Sequence, residues 1–300
     1  MMPGIYHEGE LLVQSRAGGR EIADQVGEMV QTTLPPVVRE FLSSQPMAVS
    51  GTVDSAGRVW ASLLAGPAGF LAAADSKHLQ LTPRIREGDP ILENLRQDPH
   101  IGLLVIELAT RRRARINGVA TSLQPGRIVV RTSQVYPNCS KYIQAREWLL
   151  APEINPVKSV RRHALTSRQQ QLIRGADTFF IATSHFHQGA DASHRGGSPG
   201  FITVTGEKHL QWPDYKGNSM YQTLGNIAIN PAAGLLFVDW ERGSTLQLSG
   251  WAQIVWEKER VAPVAGAERI VEFHVSELIE ITGGLPLQWR FLDAYPYNPR

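Results

Sequence analysis

The stretch "DASHRGGSPGF" (191–201) sets an acid, two hydroxyls, a histidine, an arginine and three glycines into eleven positions. Arg195 supplies charge, Ser193 and Ser198 supply hydroxyl donors, and the Gly196–Gly197 pair lets backbone N–H groups turn toward a ligand. The chemistry this favours is holding an anion. A second set follows in "PDYKGN" (213–218), where Lys216 brings charge, Gly217 lets the backbone approach and Asn218 adds a neutral donor. That set sits just ahead of a predicted helix, whose first N–H groups favour anions. A third polar set, Cys139 and Lys141 in "NCSKYI" (138–143), lies on what reads as a helix over 136–148 that also carries Arg146. His194 is the one nearby side chain expected to titrate around neutral pH, and no general acid or base is otherwise evident.

The elements that must position these residues belong to a chain of 300 residues, enough for two domains. Hydrophobic residues make up 42%, so sizeable cores are expected. Thirty basic against twenty-eight acidic residues leave a formal charge of +2, so no global field argues for nucleic acid or an anionic membrane. Cys139 is the only cysteine, which excludes an intrachain disulfide and a thiolate metal cluster and fits a reducing cytoplasm. The opening residues lack a basic segment followed by an apolar one, and no apolar run approaches the ~20 residues of a membrane span. A soluble, cytoplasmic protein is the expectation.

The chain repeats itself. "AGFLAAADSKHLQL" (68–81) matches "PGFITVTGEKHLQW" (199–212) in register, Gly69 falling on Gly200 at an offset of 131. The same offset relates Leu34 to Leu165 and Phe41 to Leu172. "ENLRQDPHIGLLVIE" (93–107) matches "GNIAINPAAGLLFVD" (225–239) at 132, and "INGVA" (116–120) falls on "LSGWA" (248–252). Four ordered matches with one single-residue shift indicate a duplication. Each copy opens on a helix, one starting at Pro35–Pro36 and one at Thr166 with Gln169 three residues on. Short β-branched or alternating runs follow, at 47–53, 58–64, 69–74, 101–107, 112–123 and 127–135, then at 178–183, 200–205, 233–239, 245–256 and 268–275. The pattern predicts a mainly β chain with two small antiparallel barrels in tandem. The expected division is a polar arm (1–33), a first barrel (34–150), a linker (151–164), a second barrel (165–283) and a Pro-rich tail (284–300).

The copies differ where chemistry is at stake. "WASLLAG" (60–66) stands opposite "DASHRGG" (191–197), so Ser62 matches Ser193 while Leu63 and Leu64 stand where the second copy has His194 and Arg195. "LTPRIREGDPILENL" (81–95) keeps Arg84 and Arg86 but loses the Gly217–Asn218 spacing. Conversely, the second copy ends in "SELIEITGGLPLQWR" and has no counterpart of the Cys139–Lys141–Arg146 set. One half supplies the loops and the other the helix, which implies a single composite site where a symmetric homodimer would have two.

"DASHRGGSPGF", "PDYKGN", "GNIAINPAAGLLF", "NCSKYI" and the opening "YHEGELLVQSRAG" together resemble the pyridoxamine 5′-phosphate oxidase-like FMN-binding split-barrel family, specifically its fused two-barrel members. The resemblance implies two tandem Greek-key split barrels forming an intrachain pseudo-dimer, with one FMN between them. It implies that Ser193, Arg195 and Gly196 line the flavin and that Lys216 and Asn218 take its phosphate, with Gly217 between them in the cofactor-binding set. Asn226 adds to the same cofactor set, and Cys139 with Lys141 comes from the opposing barrel. The sequence departs from the family at His194, where proline is common, and at Ser140, where proline or alanine is usual. The implied function is flavin-dependent two-electron redox chemistry on a small-molecule redox substrate or nicotinamide reductant, or with a protein electron donor. The alternatives are a non-catalytic flavin carrier, or the same fold with haem or a deazaflavin. A monomeric pseudo-dimer or a homodimer fits the duplication.

Three further features read as structural. In "TRRRAR" (110–115), strand alternation puts Arg111, Arg113 and Arg115 on one face and Arg112 with Ala114 on the other, a solvated barrel face by expectation and not a nucleic-acid surface. The alternative is one arginine reaching the flavin phosphate. His185 and His187, with His194 nearby, lack acidic or thiol partners at ligand spacing, so no metal is expected. Trp289 and Arg290 either close over the site or, for the tryptophan, pack in the core.

Overall fold

The computed structural model describes residues 5–299. Two helices form the arm, α1 (Glu8–Ala17) and α2 (Arg20–Gly27). The first barrel contains α3 (Pro36–Ser43), β1 (Met47–Val53), β2 (Val59–Ala65), β3 (Leu71–Ala73), β4 (His78–Leu81), α4 (Ile91–Gln97), β5 (His100–Glu107), β6 (Arg112–Gln124) and β7 (Arg127–Pro137). Two strands, β8 (Ala145–Leu150) and β9 (Lys158–Arg162), lie between the copies. The second barrel contains α5 (Ser167–Gly175), β10 (Thr178–His185), β11 (Gly189–Gly196), β12 (Thr203–Val204), β13 (His209–Tyr215), α6 (Gln222–Ile229), β14 (Ala232–Asp239), β15 (Ser244–Val255), α7 (Lys258–Val261) and β16 (Ala267–Thr282). A last strand, β17 (Leu287–Asp293), closes the chain.

The duplication is visible in strand order. One sheet runs β2-β1-β5-β6-β7-β4-β3, and the other runs β11-β10-β14-β15-β16-β13-β12. Each strand of the first sheet therefore has its counterpart at the same place in the second, all antiparallel. The helices start where local chemistry dictates. Pro36 opens α3 at its first turn. Thr166 caps α5, its hydroxyl accepting from the Gln169 amide while the Gln169 side chain returns to the Thr166 backbone.

Each barrel fills its own core, with Trp212, Phe179, Phe237 and Phe273 prominent in the second and Leu34, Leu64, Phe70 and Leu103 in the first. A third core belongs to both. Met47, Val49, Leu63 and Leu104 meet Phe180, Ala182, Ala192 and Leu236 between the barrels. Fully burying each Met, Val, Leu or Phe side chain there is worth about 1.5–3 kcal/mol, so the two barrels act as one folded unit. Glycines set their approach. A Cβ on Gly102 would lie 2.4 Å from the Cα of Asp191, and one on Gly234 would lie 2.9 Å from the Cα of Trp60. These two crossings are the same contact related by the pseudo-two-fold, because Gly234 is the copy of Gly102 and Asp191 the copy of Trp60.

The segments outside the repeats are more ordered than their polarity suggests. The expected helix over 136–148 does not form. Residues 138–144 are irregular, Tyr142 sits at φ 63, and the chain then enters β8. A non-glycine residue in the left-handed region ends any helix, and β8 instead pairs with β17 from the tail. The expected linker carries β9, which pairs with the far end of β16. The polar arm buries His7, Glu10 and Gln14. Trp289 is 6% exposed and packs in the shared core against Trp240, so core packing is its role. Arg290 pairs with Glu147 on the surface. No helix among the described residues is long and apolar enough to cross a membrane.

Candidate functional site

One cleft collects the residues singled out by their chemistry, and its walls come from both barrels. Ser193, His194, Arg195, Gly196, Gly217 and Asn218 line it from the second barrel, and Arg113, Arg115, Asn138, Cys139, Lys141 and Tyr142 line it from the first. The cleft offers about 840 Å³ of empty space including its open mouth. Ser198 is absent from its wall and lies in the turn beyond it, where its carbonyl accepts from the Phe201 amide.

The stretch 189–196 is a strand, not a loop. β11 is the edge of its sheet, pairing with β10 from Gly189 opposite His185 to Gly196 opposite Thr178. Its side chains are held as a strand holds them. The Arg195 guanidinium donates through Nη1 to Ser193 Oγ at 2.8 Å and to the His194 carbonyl at 3.0 Å. Burial lowers the Arg195 pKa, and Asp214 works the other way. Gly196 is required for a different reason from ligand approach. A Cβ there would lie 2.0 Å from the Tyr142 carbonyl, so the glycine lets the first barrel's 138–144 segment cross the end of β11.

"TRRRAR" does not form a solvated face. Arg111 donates to the Ile143 carbonyl and pairs with Asp293, and Arg112 pairs with Glu107 at the surface. Arg113 and Arg115 turn into the cleft. Arg113 donates from Nε to the Cys139 carbonyl at 2.7 Å. Burial, then Arg115 and Arg195, push its pKa down to about 9, which leaves it cationic at neutral pH. Arg115 crosses the barrel interface to Asp191, with N···O 3.1 Å, and donates to Tyr136 Oη and Gln222 Oε1. Burial opposes its charge, but Asp191, Tyr136 and Glu10 together outweigh it and raise its pKa. Alternation along β6 groups Arg113 with Arg115 as expected, but Arg111 lies ahead of the strand at φ 59 and does not join them. Alternation carries no information on which face meets the other barrel.

The "PDYKGN" segment shapes the opposite wall. Asn218 Oδ1 accepts from the Met220 amide, and both Ser219 and Tyr221 sit at positive φ, 63° and 59°. Two non-glycine residues in that region mark a loop held by its surroundings. The arm does the holding: Gln14 Nε2 donates to the Met220 carbonyl at 3.0 Å. Asp214 is the one carboxylate on this wall, and Arg269 neutralises it through two hydrogen bonds of 3.0 and 2.7 Å.

Not every predicted residue reaches the cleft. Lys216 is exposed and outside the wall, and its carbonyl accepts from Tyr142 Oη at 3.1 Å. That hydrogen bond ties the two barrels across the mouth. Asn226 is buried on α6 with its amide engaged by Thr183 Oγ1 and His7 Nε2, both at 2.9 Å. Cys139 and Lys141 do line the cleft, half-buried, on an irregular segment and not on a helix. His194 does not titrate near neutral pH. Burial, then Arg113, Arg195 and Arg146, hold its pKa well below the ordinary value.

His185 meets a different set of partners from the expected ones. Its ring stacks on His7 at 4.2 Å, and its Nε2 lies 3.1 Å from Glu8 Oε1. His7, Glu8 and His185 present nitrogen and oxygen atoms within 4.8 Å of one another. The ring nitrogens are already engaged, His185 Nδ1 by the amides of His187 and Gln188, and His7 Nδ1 by that of Gly9.

The pseudo-two-fold predicts a twin of the cleft on the other side of the interface, and the structure shows it filled. Thr245 and Gln247 stand where the cleft has Arg113 and Arg115, and Arg86 stands where it has Gly217. Arg86 is buried and donates to Thr245 Oγ1 at 2.6 Å and to the Gly243 carbonyl at 3.2 Å. Asp89 accepts from Ser62 Oγ and Gln247 Nε2, both at 2.7 Å. The twin is knitted shut by the chain's own polar groups.

The fold and the cleft define the class: two tandem split barrels with a cationic cleft between them. Residues 34–151, the first barrel, match the family model of pyridoxamine 5′-phosphate oxidase. No curated protein matches the chain. Among solved structures, it is similar to a putative pyridoxamine 5′-phosphate oxidase from Lactobacillus delbrueckii at 17% identity over 40% of this chain and 98% of that one, with TM-score 0.34. It is also similar to HupZ of Group A Streptococcus, at 17% identity over 44% of this chain and 98% of that one, with TM-score 0.31. The FAD binding protein from Mycobacterium smegmatis matches at 12% over 41% and 99%, TM-score 0.30.

Proposed function

We propose that this protein binds one FMN in the cleft between its barrels and serves as a flavin-dependent oxidoreductase. The observation that carries the reading is the contrast between the two pseudo-symmetric positions. One is filled by Arg86 and Asp89, and the other opens a cleft walled by guanidiniums from both barrels. The residues suit an anionic, acceptor-rich ligand. Buried Arg115 Nε and both ring nitrogens of His194 have no hydrogen-bond partner among the described residues, and buried polar groups without partners are few in native proteins.

In this reading Arg113 and Arg195 hold the negative groups of the ligand through charge-assisted hydrogen bonds, with Lys141 beside them. This revises the phosphate assignment, because Lys216 is exposed and is not among the residues of the wall. Arg115 is a positioning residue, fixed by Asp191, Tyr136 and Gln222. Bound flavin supplies two-electron chemistry by accepting or releasing hydride. The chain contributes orientation, positive charge near the ring when it is reduced, and exclusion of water by the Tyr142–Lys216 closure. His194 stays neutral and offers a ligand one hydrogen-bond donor and one acceptor without adding charge.

Incubation with FMN followed by gel filtration tests the binding. The expected result is a yellow protein with quenched flavin fluorescence, and a preparation that stays colourless contradicts it. Anaerobic addition of NADH or NADPH then separates two functions. Bleaching by either indicates an oxidoreductase, and no bleaching by both indicates a carrier or a protein electron donor.

A further inference from the structure

His194 stands out among the buried polar residues. It is 3% exposed, it lines the cleft, and neither Nδ1 nor Nε2 has a hydrogen-bond partner among the described residues. The same position in the first copy is Leu63, buried in the core between the barrels. The fold therefore accepts an apolar side chain of similar size here and gains nothing structural from an imidazole. A buried donor and acceptor left unpaired cost stability, so a residue of this kind signals a partner that the chain itself does not supply.

The ring is also held in place. Its Cε1 lies 3.0 Å from where a Cβ on Gly196 would be, and Phe180 meets it edge-on with centroids 5.9 Å apart. The Tyr142 segment closes over the same glycine. The charged groups facing it are all guanidiniums: Arg195 on its own strand, Arg113 on β6 and Arg146 on β8. Of these, Arg146 is already paired with Asp177. An imidazole among cations stays neutral and offers one donor and one acceptor.

We infer that His194 is a specificity-determining contact, hydrogen-bonding the heteroaromatic ring edge of the bound flavin and not its phosphate. The assignment rests on the proposed flavin reading and adds the orientation of the ligand to it. The distribution of charge favours this direction. His194 belongs to the buried wall, Arg195 and Lys141 are half-buried, and Lys216 is exposed beyond the mouth. A phosphate, the most strongly hydrated part of the ligand, belongs toward the charged mouth. A ring edge of alternating carbonyl and N–H groups matches a neutral, buried imidazole.

The test compares His194→Leu and His194→Gln with the wild type, using FMN and riboflavin as ligands. Riboflavin has the ring without the phosphate. The assignment predicts that His194→Leu weakens FMN and riboflavin binding by the same factor, roughly tenfold, the loss of about one buried hydrogen-bond pair. His194→Gln, which keeps a donor and an acceptor, recovers part of that loss and restores the position of the bound flavin's absorbance bands. The melting temperature of ligand-free His194→Leu should equal or exceed that of the wild type, because two unpaired polar atoms are removed. Weakening of FMN alone would move the contact to the phosphate and overturn the assignment. Unchanged affinity for both ligands, or a fall in melting temperature that accounts for the weakening, would also overturn it. Failure of the wild type to bind FMN or riboflavin would remove the flavin reading itself, and this assignment with it.

Discussion

At the scale of single residues, charge in the cleft is divided between guanidiniums that are committed and guanidiniums that are free to act. Arg115 and Arg269 each hold a carboxylate, Asp191 and Asp214. Arg113 and Arg195 donate to neutral oxygens only. Arg113→Ala and Arg195→Ala should therefore each weaken FMN binding at least tenfold while leaving the melting temperature within a few degrees, as read by fluorescence titration and thermal scans. Arg86→Ala should do the reverse, costing about 1–3 kcal/mol of stability with unchanged FMN affinity. A second residue-scale expectation concerns Glu10. Burial raises its pKa to about 8, so the folded chain keeps a proton that the unfolded chain releases near 4.5. The folded state binds more protons in that window, and its stability falls as pH rises from about 4.5 to about 8. His7, held down to about 4 by burial and then by His185, acts in the opposite direction below 6.5. The clean interval is pH 6.5–8. There the wild type should lose stability relative to Glu10→Gln in denaturant titrations, and a constant difference across it would contradict the assignment.

At the scale of elements, the "HEGE" opening has a physical account in the docking of α1 on α6. His7 caps the helix, Glu10 returns to the His7 amide at 2.8 Å, and Glu8 reaches His185. Gly9 lets the two helices touch: a Cβ there would lie 2.2 Å from the Gly225 carbonyl. Gln14 then reaches the loop that forms one wall of the cleft. Gly9→Ala should loosen the arm, speed limited proteolysis between α1 and α2, and weaken FMN binding without touching a cleft residue. Equal proteolysis rates would contradict that coupling. The element scale is also where sequence reasoning succeeds and fails most clearly. Pro36 and the Thr166–Gln169 box announce their helices because capping is local chemistry. The residues of 136–148 have helical polarity in one dimension, but Tyr142 at positive φ and the pairing of β8 with β17 are decided by the tail, some 140 residues away. Arg113 and Arg115 group correctly on one face, and only the packing of the second barrel determines that this face is buried. Lys216 and Asn226 carry the right chemistry, but Lys216 lies exposed outside the wall and the Asn226 amide is engaged by Thr183 and His7.

At the scale of the whole molecule, duplication followed by divergence explains why, of the two pseudo-symmetric positions between the barrels, one is filled and the other is open. The strand orders are the same, and the glycine crossings at Gly102 and Gly234 preserve the two-fold. Chemistry has broken it, with Leu63 and Leu64 against His194 and Arg195, and Arg86 against Gly217. Gly102→Ala or Gly234→Ala should lower stability by more than about 2 kcal/mol, because each Cβ meets backbone of the other barrel and neither can move alone. The contrast between the two copies is readable from the sequence, since it needs only alignment of the chain with itself. That the first copy's twin is knitted shut is not, because it depends on Arg86 and Asp89 reaching residues of the second barrel. The most direct measurement is an equilibrium titration of the purified protein with FMN, followed by fluorescence quenching. The account predicts saturation at one FMN per chain, lost in the Arg113→Ala/Arg195→Ala double variant and retained in Arg86→Ala. Saturation at two per chain, or no binding at all, would contradict it.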